Sequence, residues 1–336
     1  MSMPEYQLDE NEAVQISALV EDVRKESLDP TRSAFYDNVG DFSDRLPAGL
    51  LSVLEEFRDK EPAEALVVHG FPVEEKNVAL TPDHWREGRA VPSTAPHEIM
   101  LALCGQVLGE PFTWATLQQG SLVQNILPIA GDEQRQNGYG SDALLEFHTE
   151  DAFHPDRCNF LLLFGVRNPD RVATVLSSVC DIELSTEDRR ILSEPRYQIR
   201  PDTEHIRQLE ALWSDHPALS LARRMSESPE LTAALFGDPE NPYLRIDPPF
   251  MDVAKEEDHA ARSALDTLVA ELERHQKSVA LGSGSLLAVN NYLAVHGRKS
   301  FTARYDGNDR WLKKLTVSRK LRSSSLRDTA ESRVLF

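Results

Sequence analysis

The stretch Leu144-Leu145-Glu146-Phe147-His148-Thr149-Glu150-Asp151 constrains this chain more than any other. Leu145 and Phe147 alternate with Glu146, His148 and Glu150, the period of a β-strand with one apolar face. On a strand, residues i and i+2 share a face. His148 and Glu150 can therefore aim an imidazole nitrogen and a carboxylate oxygen at one point. Such a pair makes up two of the three ligands of a 2-His-1-carboxylate site, which leaves three positions of an iron ion open. Alone, His-x-Glu is short and common, and a hydrogen-bonded histidine beside a solvated glutamate satisfies it equally well. A second histidine and a further anchoring group are needed.

The sequence holds 336 residues, 40% of them hydrophobic, enough for a substantial core in one large domain or two small ones. Its formal net charge is -19. So acidic a surface repels nucleic acid and anionic lipid, so neither is an expected partner. A small molecule is, and a homo-oligomer is compatible with the sequence. Cys104, Cys158 and Cys180 form no CxxC and no Cys/His pair at zinc spacing. Three scattered thiols suit a reducing cytoplasm. The polar, acidic start from Met1 to Glu12 is unlike a signal peptide. The longest apolar runs, such as residues 160–164, are far too short to span a bilayer.

Ala13, Ile16, Val20 and Val23 recur on a helical period over 11–24, and Leu46, Leu50, Leu54 and Phe57 mark a second helix. Residues 65–71 read as a buried strand stopped by Gly70 and Pro72, with His69 a satisfied core residue. Residues 72–96 are rich in proline and predict a long loop, and 97–108 a third helix closed by Gly109. Strands are expected at 112–116, 121–127, 144–149, 159–166, 173–179, 243–247, 285–290 and 311–318. Helices are expected at 186–193, 217–226 and 257–277. Residues 130–141, polar with three glycines, have the length and composition of a functional loop. No linker divides the chain. The expectation is one domain: a helical part over 1–62, a β core over 63–320 with a helical insert at 181–277, and a loosely ordered tail over 321–336. Many short strands with flanking helices predict a mainly β sandwich or jelly roll, in which inward residues of different strands can meet at a metal.

The best second histidine lies in Val289-Asn-Asn-Tyr-Leu-Ala-Val-His296-Gly297-Arg298, where an apolar strand runs into a turn before His296. Arg310 follows fourteen residues later, inside Asp306-Gly-Asn-Asp-Arg310-Trp-Leu312. The Asp-Gly turn predicts a hairpin-like return that brings Arg310 near His296. A guanidinium fork grips a carboxylate in two places, which a dicarboxylate cosubstrate beside a metal requires. The alternative for Arg310 is a surface ion pair with Asp306 or Asp309. His154 precedes Pro155 in a loop and is not expected as a ligand.

The segments His148-Thr-Glu-Asp-Ala-Phe153, Arg167-Asn-Pro-Asp170, Val295-His-Gly-Arg298 and Arg304-Tyr-Asp-Gly-Asn-Asp-Arg-Trp-Leu-Lys313 occur in that order. Together they closely resemble the clavaminate synthase-like iron(II)/2-oxoglutarate oxygenases, especially the arginine, asparagine and lysine hydroxylases of antibiotic biosynthesis. The resemblance spans roughly residues 62–320. It implies a distorted double-stranded β-helix, the jelly roll, with flanking helices. It implies Fe(II) held by His148, Glu150 and His296, with Arg310 on the distal carboxylate of 2-oxoglutarate and Thr174 on the one nearer the metal. The implied reaction is O2-dependent hydroxylation of C3 or C4 of an L-amino acid, with 2-oxoglutarate leaving as succinate. Glu150 would also touch the substrate amino group, and residues 130–141 would form a lid. A carboxylate ligand at 150 leaves no position for chloride, which disfavours halogenation.

By the same resemblance, Asp247 matches a substrate-binding aspartate. Lys314 stands where relatives carry an arginine for the substrate carboxylate. Gln118 neighbours Leu117, where arginine hydroxylases have a glutamine, and Pro249 replaces their second aspartate. One retained carboxylate fits an ammonium, so free L-lysine is the expected substrate, followed by L-arginine, L-citrulline or L-asparagine. The alternative for Asp247 is capping a turn. Desaturation would follow from the same hydrogen abstraction. Two other classes are a cupin-like zinc hydrolase or isomerase on the same three ligands, which leaves Arg310 without a role, and a non-catalytic 2-oxoglutarate sensor.

Overall fold

A computed structural model of the chain describes residues 3–89, 91–322, 326–328 and 330–336. The larger sheet runs Glu5–Gln7, Ala65–His69, Leu286–Asn290, Phe160–Arg167, Trp311–Ser318, Glu110–Trp114 and Val334–Leu335, with Gln124–Ile126 also paired to Trp311–Ser318. The smaller sheet runs Lys277–Val279, Thr174–Ser178, Ala294–Arg298 and Leu145–His148. Two mostly antiparallel sheets with a cavity between them make a jelly roll with flanking helices.

The two-residue period of the strands explains the layers. Phe160, Leu162 and Phe164 join the core shared with the helices, while Leu161 and Leu163 turn to the opposite face and line the cavity. Leu286 and Ala288 alternate with Leu287 and Val289 in the same way. The helical layer is Ala95–Leu108, with Pro96 in its first turn, and the helices Glu10–Lys25 and Ala48–Lys60 packed against it. Asp9 and Glu12 form a reciprocal capping box that starts the first of these helices. In the insert, Ala261, Leu265, Leu268 and Leu272 bury one face of His259–Arg274. Gly165 sits mid-strand because any Cβ there would fall 1.9 Å from the Gly282 carbonyl oxygen.

Several expectations change. The return from His296 to Arg310 is no hairpin: Ala294–Arg298 lies in the smaller sheet and Trp311–Ser318 in the larger, so residues 299–310 cross between them. The tail is not loose where it is described. Val334 and Leu335 are buried as a parallel strand beside Thr113 and Trp114, and the Phe336 ring stacks on His216 at 3.9 Å. Residues 323–325 and 329 of that tail lie outside the described residues. The 72–96 stretch contains a helical turn at Trp85–Gly88. His69 is half-buried at a strand end, its Nδ1 3.1 Å from Ser285 Oγ. The strand expected over 121–127 shortens to Gln124–Ile126, and Thr203–Leu212 is a helix that periodicity did not predict. Among the described residues no helix is long and apolar enough to cross a membrane.

Candidate iron and substrate site

His148 ends the Leu145–His148 strand and lies directly opposite His296 on Ala294–Arg298. Their ring centroids are 4.3 Å apart. Glu150 follows, its Oε2 3.3 Å from His296 Nε2. One donor atom from each of the three lies within 4.8 Å of the others. Gly297 permits this approach, since a Cβ there would sit 2.5 Å from the Leu145 carbonyl oxygen. Next to it, the backbone of Glu150 is clamped by Asn291, whose Oδ1 accepts from Glu150 N at 2.7 Å and whose Nδ2 donates to Glu150 O at 3.1 Å.

The donor set suits a divalent iron. His148 Nδ1 donates to the Glu146 carbonyl oxygen at 2.9 Å, which fixes the ring and leaves Nε2 as the lone-pair nitrogen. Burial, helped by His296, pushes His148 down to about 4, so the imidazole is neutral as a metal ligand must be. Burial opposes the charge on Glu150, yet Lys314 and both histidines outweigh it and hold the carboxyl well below its ordinary range. Lys314 Nζ donates to Glu150 Oε1. Burial likewise opposes the Lys314 charge, and Glu150 and Asp151 more than reverse that effect. Two nitrogens and one carboxylate leave the remaining positions of an octahedral iron for a chelating cosubstrate and oxygen.

Arg310, Leu312 and Lys314 alternate with Lys313, which turns the other way to Glu98 at 2.6 Å and Asn125 at 2.7 Å. Arg310 is buried and lines the cavity. Its Nη2 donates to Thr174 Oγ1 at 3.2 Å, its Nε has no partner, and no carboxylate pairs with it among the described residues. Burial, with the Arg298 charge added, pushes this guanidinium down to about 9. A buried cation with unmet donors is a receptor for an anion. The surface ion pair does not form. Asp309 instead accepts the backbone N–H groups of Arg304 at 2.9 Å and Tyr305 at 2.6 Å, shaping the turn before Arg310. Arg167 braces the same turn by donating to Gly307 O at 3.1 Å and to Ala79 O at 3.1 Å.

These groups share a cavity of about 180 Å³ with Tyr139, Asp202 and Asp247. Thr149 places Asp247: its backbone N–H and hydroxyl donate to the Ile246 carbonyl at 2.9 and 3.1 Å. The Asp247 side chain caps no helix. Burial first, then the charges of Asp202, Glu150, Asp151 and Glu146, raise its carboxyl well above the usual range. Asp202 was invisible to periodicity because it begins the unpredicted helix, where one oxygen caps Glu204 N at 2.9 Å. Residues 136–139 of the expected lid line the cavity, and Arg298 ties that segment down by donating to the carbonyls of Gly140 and Ala143. Gln118 does not line the cavity. Its amide donates to Asn125 O at 2.7 Å and to the Tyr139 hydroxyl at 3.0 Å, one layer behind. His154 is not among the grouped metal donors, and its ring packs on Trp114 at 4.4 Å. Asn291 and Asp202 were missed by sequence reasoning, and Tyr139 was covered only as part of the expected 130–141 lid. For Asn291 the one available signal was an asparagine in the turn between two strands.

Fold and site together define a 2-oxoglutarate-type oxygenase, and comparison with known proteins agrees. The chain belongs to the taurine catabolism dioxygenase TauD, TfdA family, whose model matches residues 98–316. It is similar to enduracididine beta-hydroxylase of Streptomyces hygroscopicus, with 39% identity over 88% of this chain and 89% of that one. It is also similar to an L-ornithine/L-arginine 3-hydroxylase of Catenulispora acidiphila, with 37% identity over 87% of each chain. Among solved structures it resembles the non-heme iron oxygenase OrfP in complex with Fe, succinate and (3S)-hydroxy-L-Arg, at a TM-score of 0.91 and 37% identity, covering 99% of this chain and 100% of that one. The protein is an amino-acid hydroxylase dependent on Fe(II), 2-oxoglutarate and O2. The zinc hydrolase and sensor readings give way to it.

Proposed function

We propose that the enzyme hydroxylates C3 of a free cationic L-amino acid, with L-arginine preferred and L-ornithine and L-lysine next. In this reading His148, Glu150 and His296 hold the iron. Arg310 and Thr174 orient 2-oxoglutarate, and bound iron with 2-oxoglutarate supplies the oxidising power. Lys314 meets the substrate carboxylate. Glu150, which would help hold the metal, would also meet the amino group and so set the β-carbon toward the reacting centre. Asp247 and Asp202 receive the cationic end, while Tyr139 and its neighbours shield the reacting carbon from water. A reducing cytoplasm fits the three free thiols.

The carrying observation is Asp247, a carboxylate lining the cavity that no lysine or arginine pairs with among the described residues, and whose carboxyl is raised by burial and by the charges of Asp202, Glu150, Asp151 and Glu146. Such a group is completed by a positive ligand. The expectation of lysine rests on a single retained carboxylate, Asp247, with Pro249 in the place of a second aspartate. Asp202 supplies a second from another element, and a guanidinium with five donors can bridge two carboxylates better than an ammonium can. Two of the hydroxylases to which this chain is similar support the same choice, being named for enduracididine and for ornithine and arginine. The test is a panel of L-arginine, L-ornithine, L-lysine, L-citrulline and L-asparagine, scored by succinate and by product mass and fragmentation. The expected result is 3-hydroxyarginine formed one-to-one with succinate. Preference for citrulline or asparagine contradicts the reading.

A further inference from the structure

The first turn of the Thr203–Leu212 helix forms part of the cavity wall through Asp202, Glu204 and His205. Glu204 is already occupied: Arg207 donates to both its oxygens, and Gln208 donates to one at 2.6 Å. Asp202 is the carboxylate left for a ligand. Yet the helix has little apolar attachment at this end. Its apolar side chains Ile206 and Leu209 join a small cluster with Ala218, Leu219 and Ala222, and link outward through Trp213 and Phe336. Something else must hold the first turn against the cavity.

That contact is His205. It is buried, its Nδ1 shares a 2.6 Å hydrogen bond with Thr116 Oγ1, and its Nε2 lies 3.7 Å from Asp151 Oδ1. Its ring meets Phe153 edge to face at 5.1 Å. Asp151 is itself fixed, its Oδ2 accepting from Trp114 Nε1 at 2.6 Å. Asp151 also adopts a left-handed backbone conformation, φ 51, directly after Glu150. A non-glycine residue keeps such a conformation only where its surroundings impose it, and such positions gather at functional sites. His205, Thr116, Asp151 and Trp114 thus connect the helix bearing Asp202 to the residue that follows the carboxylate ligand.

We propose that His205 is a positioning residue whose contacts with Thr116 and Asp151 hold Asp202 toward Asp247 over the substrate side chain. Losing the clamp lets the wall drift while the metal set stays intact. The consequence is weaker substrate affinity and oxidant made without substrate in place. This inference rests on the cationic-substrate reading. That reading is tested by the unmodified enzyme in the amino-acid panel, so the two fail separately: a neutral preferred substrate removes the reading, and the variants are then assayed with that substrate.

The experiment compares His205→Phe, which keeps the ring against Phe153, and Thr116→Val, which removes one hydroxyl, with wild type. Each is assayed for iron content, KM of both substrates, kcat, and succinate formed per hydroxylated product. The expected result is a rise of about fivefold in the amino-acid KM, no larger than the loss of the Asp202 charge itself would cause. The succinate-to-product ratio should rise above one, with iron content and the 2-oxoglutarate KM unchanged. A merely structural residue would lower kcat and iron content together and leave the ratio at one. Wild-type KM and a ratio of one in both folded variants overturn the proposal.

Discussion

The proposed iron ligands and the carboxylates proposed to receive the substrate share one cavity but rest on different kinds of structure. His148 and His296 sit opposite each other on paired strands, and Asn291 grips the backbone of Glu150 from both sides. Asp247 lies past the end of a short strand, and Asp202 caps a helix in the insert. Reaction chemistry tolerates little displacement, so its groups stand on the sheets or within two residues of a strand end. Substrate choice can change through connecting segments without disturbing them. The two regions should therefore respond to substitution in separate ways.

The largest effect belongs to the metal set. His296→Ala should lower hydroxylation below about a thousandth of wild type and lose stoichiometric iron, as metal analysis of the purified protein would show. Arg310→Ala should retain its iron and raise the 2-oxoglutarate KM by a factor corresponding to about 2–5 kcal/mol, the loss expected when one partner of a buried charge pair is removed. Arg310→Lys should recover part of this, since the charge returns without the fork. Asp247→Asn should raise the KM for L-arginine by about 10–100-fold and leave the 2-oxoglutarate KM alone. A change in iron content in that variant would show that the two regions are not separable.

The pH dependence sharpens the comparison. Burial and acidic neighbours raise the Asp247 carboxyl, so it gains a proton at higher pH than an ordinary aspartate. Only its ionised form holds a cation. As pH falls through the raised value, kcat/KM for arginine should drop earlier than kcat/KM for citrulline. Asp247→Asn should abolish that difference. The smallest effect is expected from Asp202→Asn, about five- to tenfold in the arginine KM, because one oxygen of Asp202 is already engaged as a helix cap.

The metal set was legible in the sequence as His-x-Glu and a distal His-Gly. His148 and His296 stand on strands, but the strand ends at His148 and Glu150 lies in the turn beyond it, brought to the same point by Asn291 rather than by strand phase. Residues 160–166 were legible as a strand from an unbroken apolar run, but which side chains face which layer shows only in the structure, because both faces are buried. Arg310 was found, though not by the hairpin that suggested it: the jelly roll sends successive strands to different sheets, and the two segments meet across the cavity. Asp202 and His205 were not legible, and Tyr139 was legible only as one residue of the polar 130–141 segment. Their elements are held by polar contacts such as His205 with Thr116 and Gln118 with Tyr139, between residues far apart in the chain, and these leave no period to read. The order of the tail was missed for the same reason, since Val334 and Leu335 are too few to show a pattern.

The central claim is that carboxylates in this cavity select a positive side chain for the iron to act beside. Arginine and citrulline differ at that end mainly in charge, so their kcat/KM ratio, measured for wild type and for Asp247→Asn, tests it most directly. The account predicts a preference for arginine of about a hundredfold in wild type, falling to within about threefold in the variant. An equal ratio in the two proteins would contradict it.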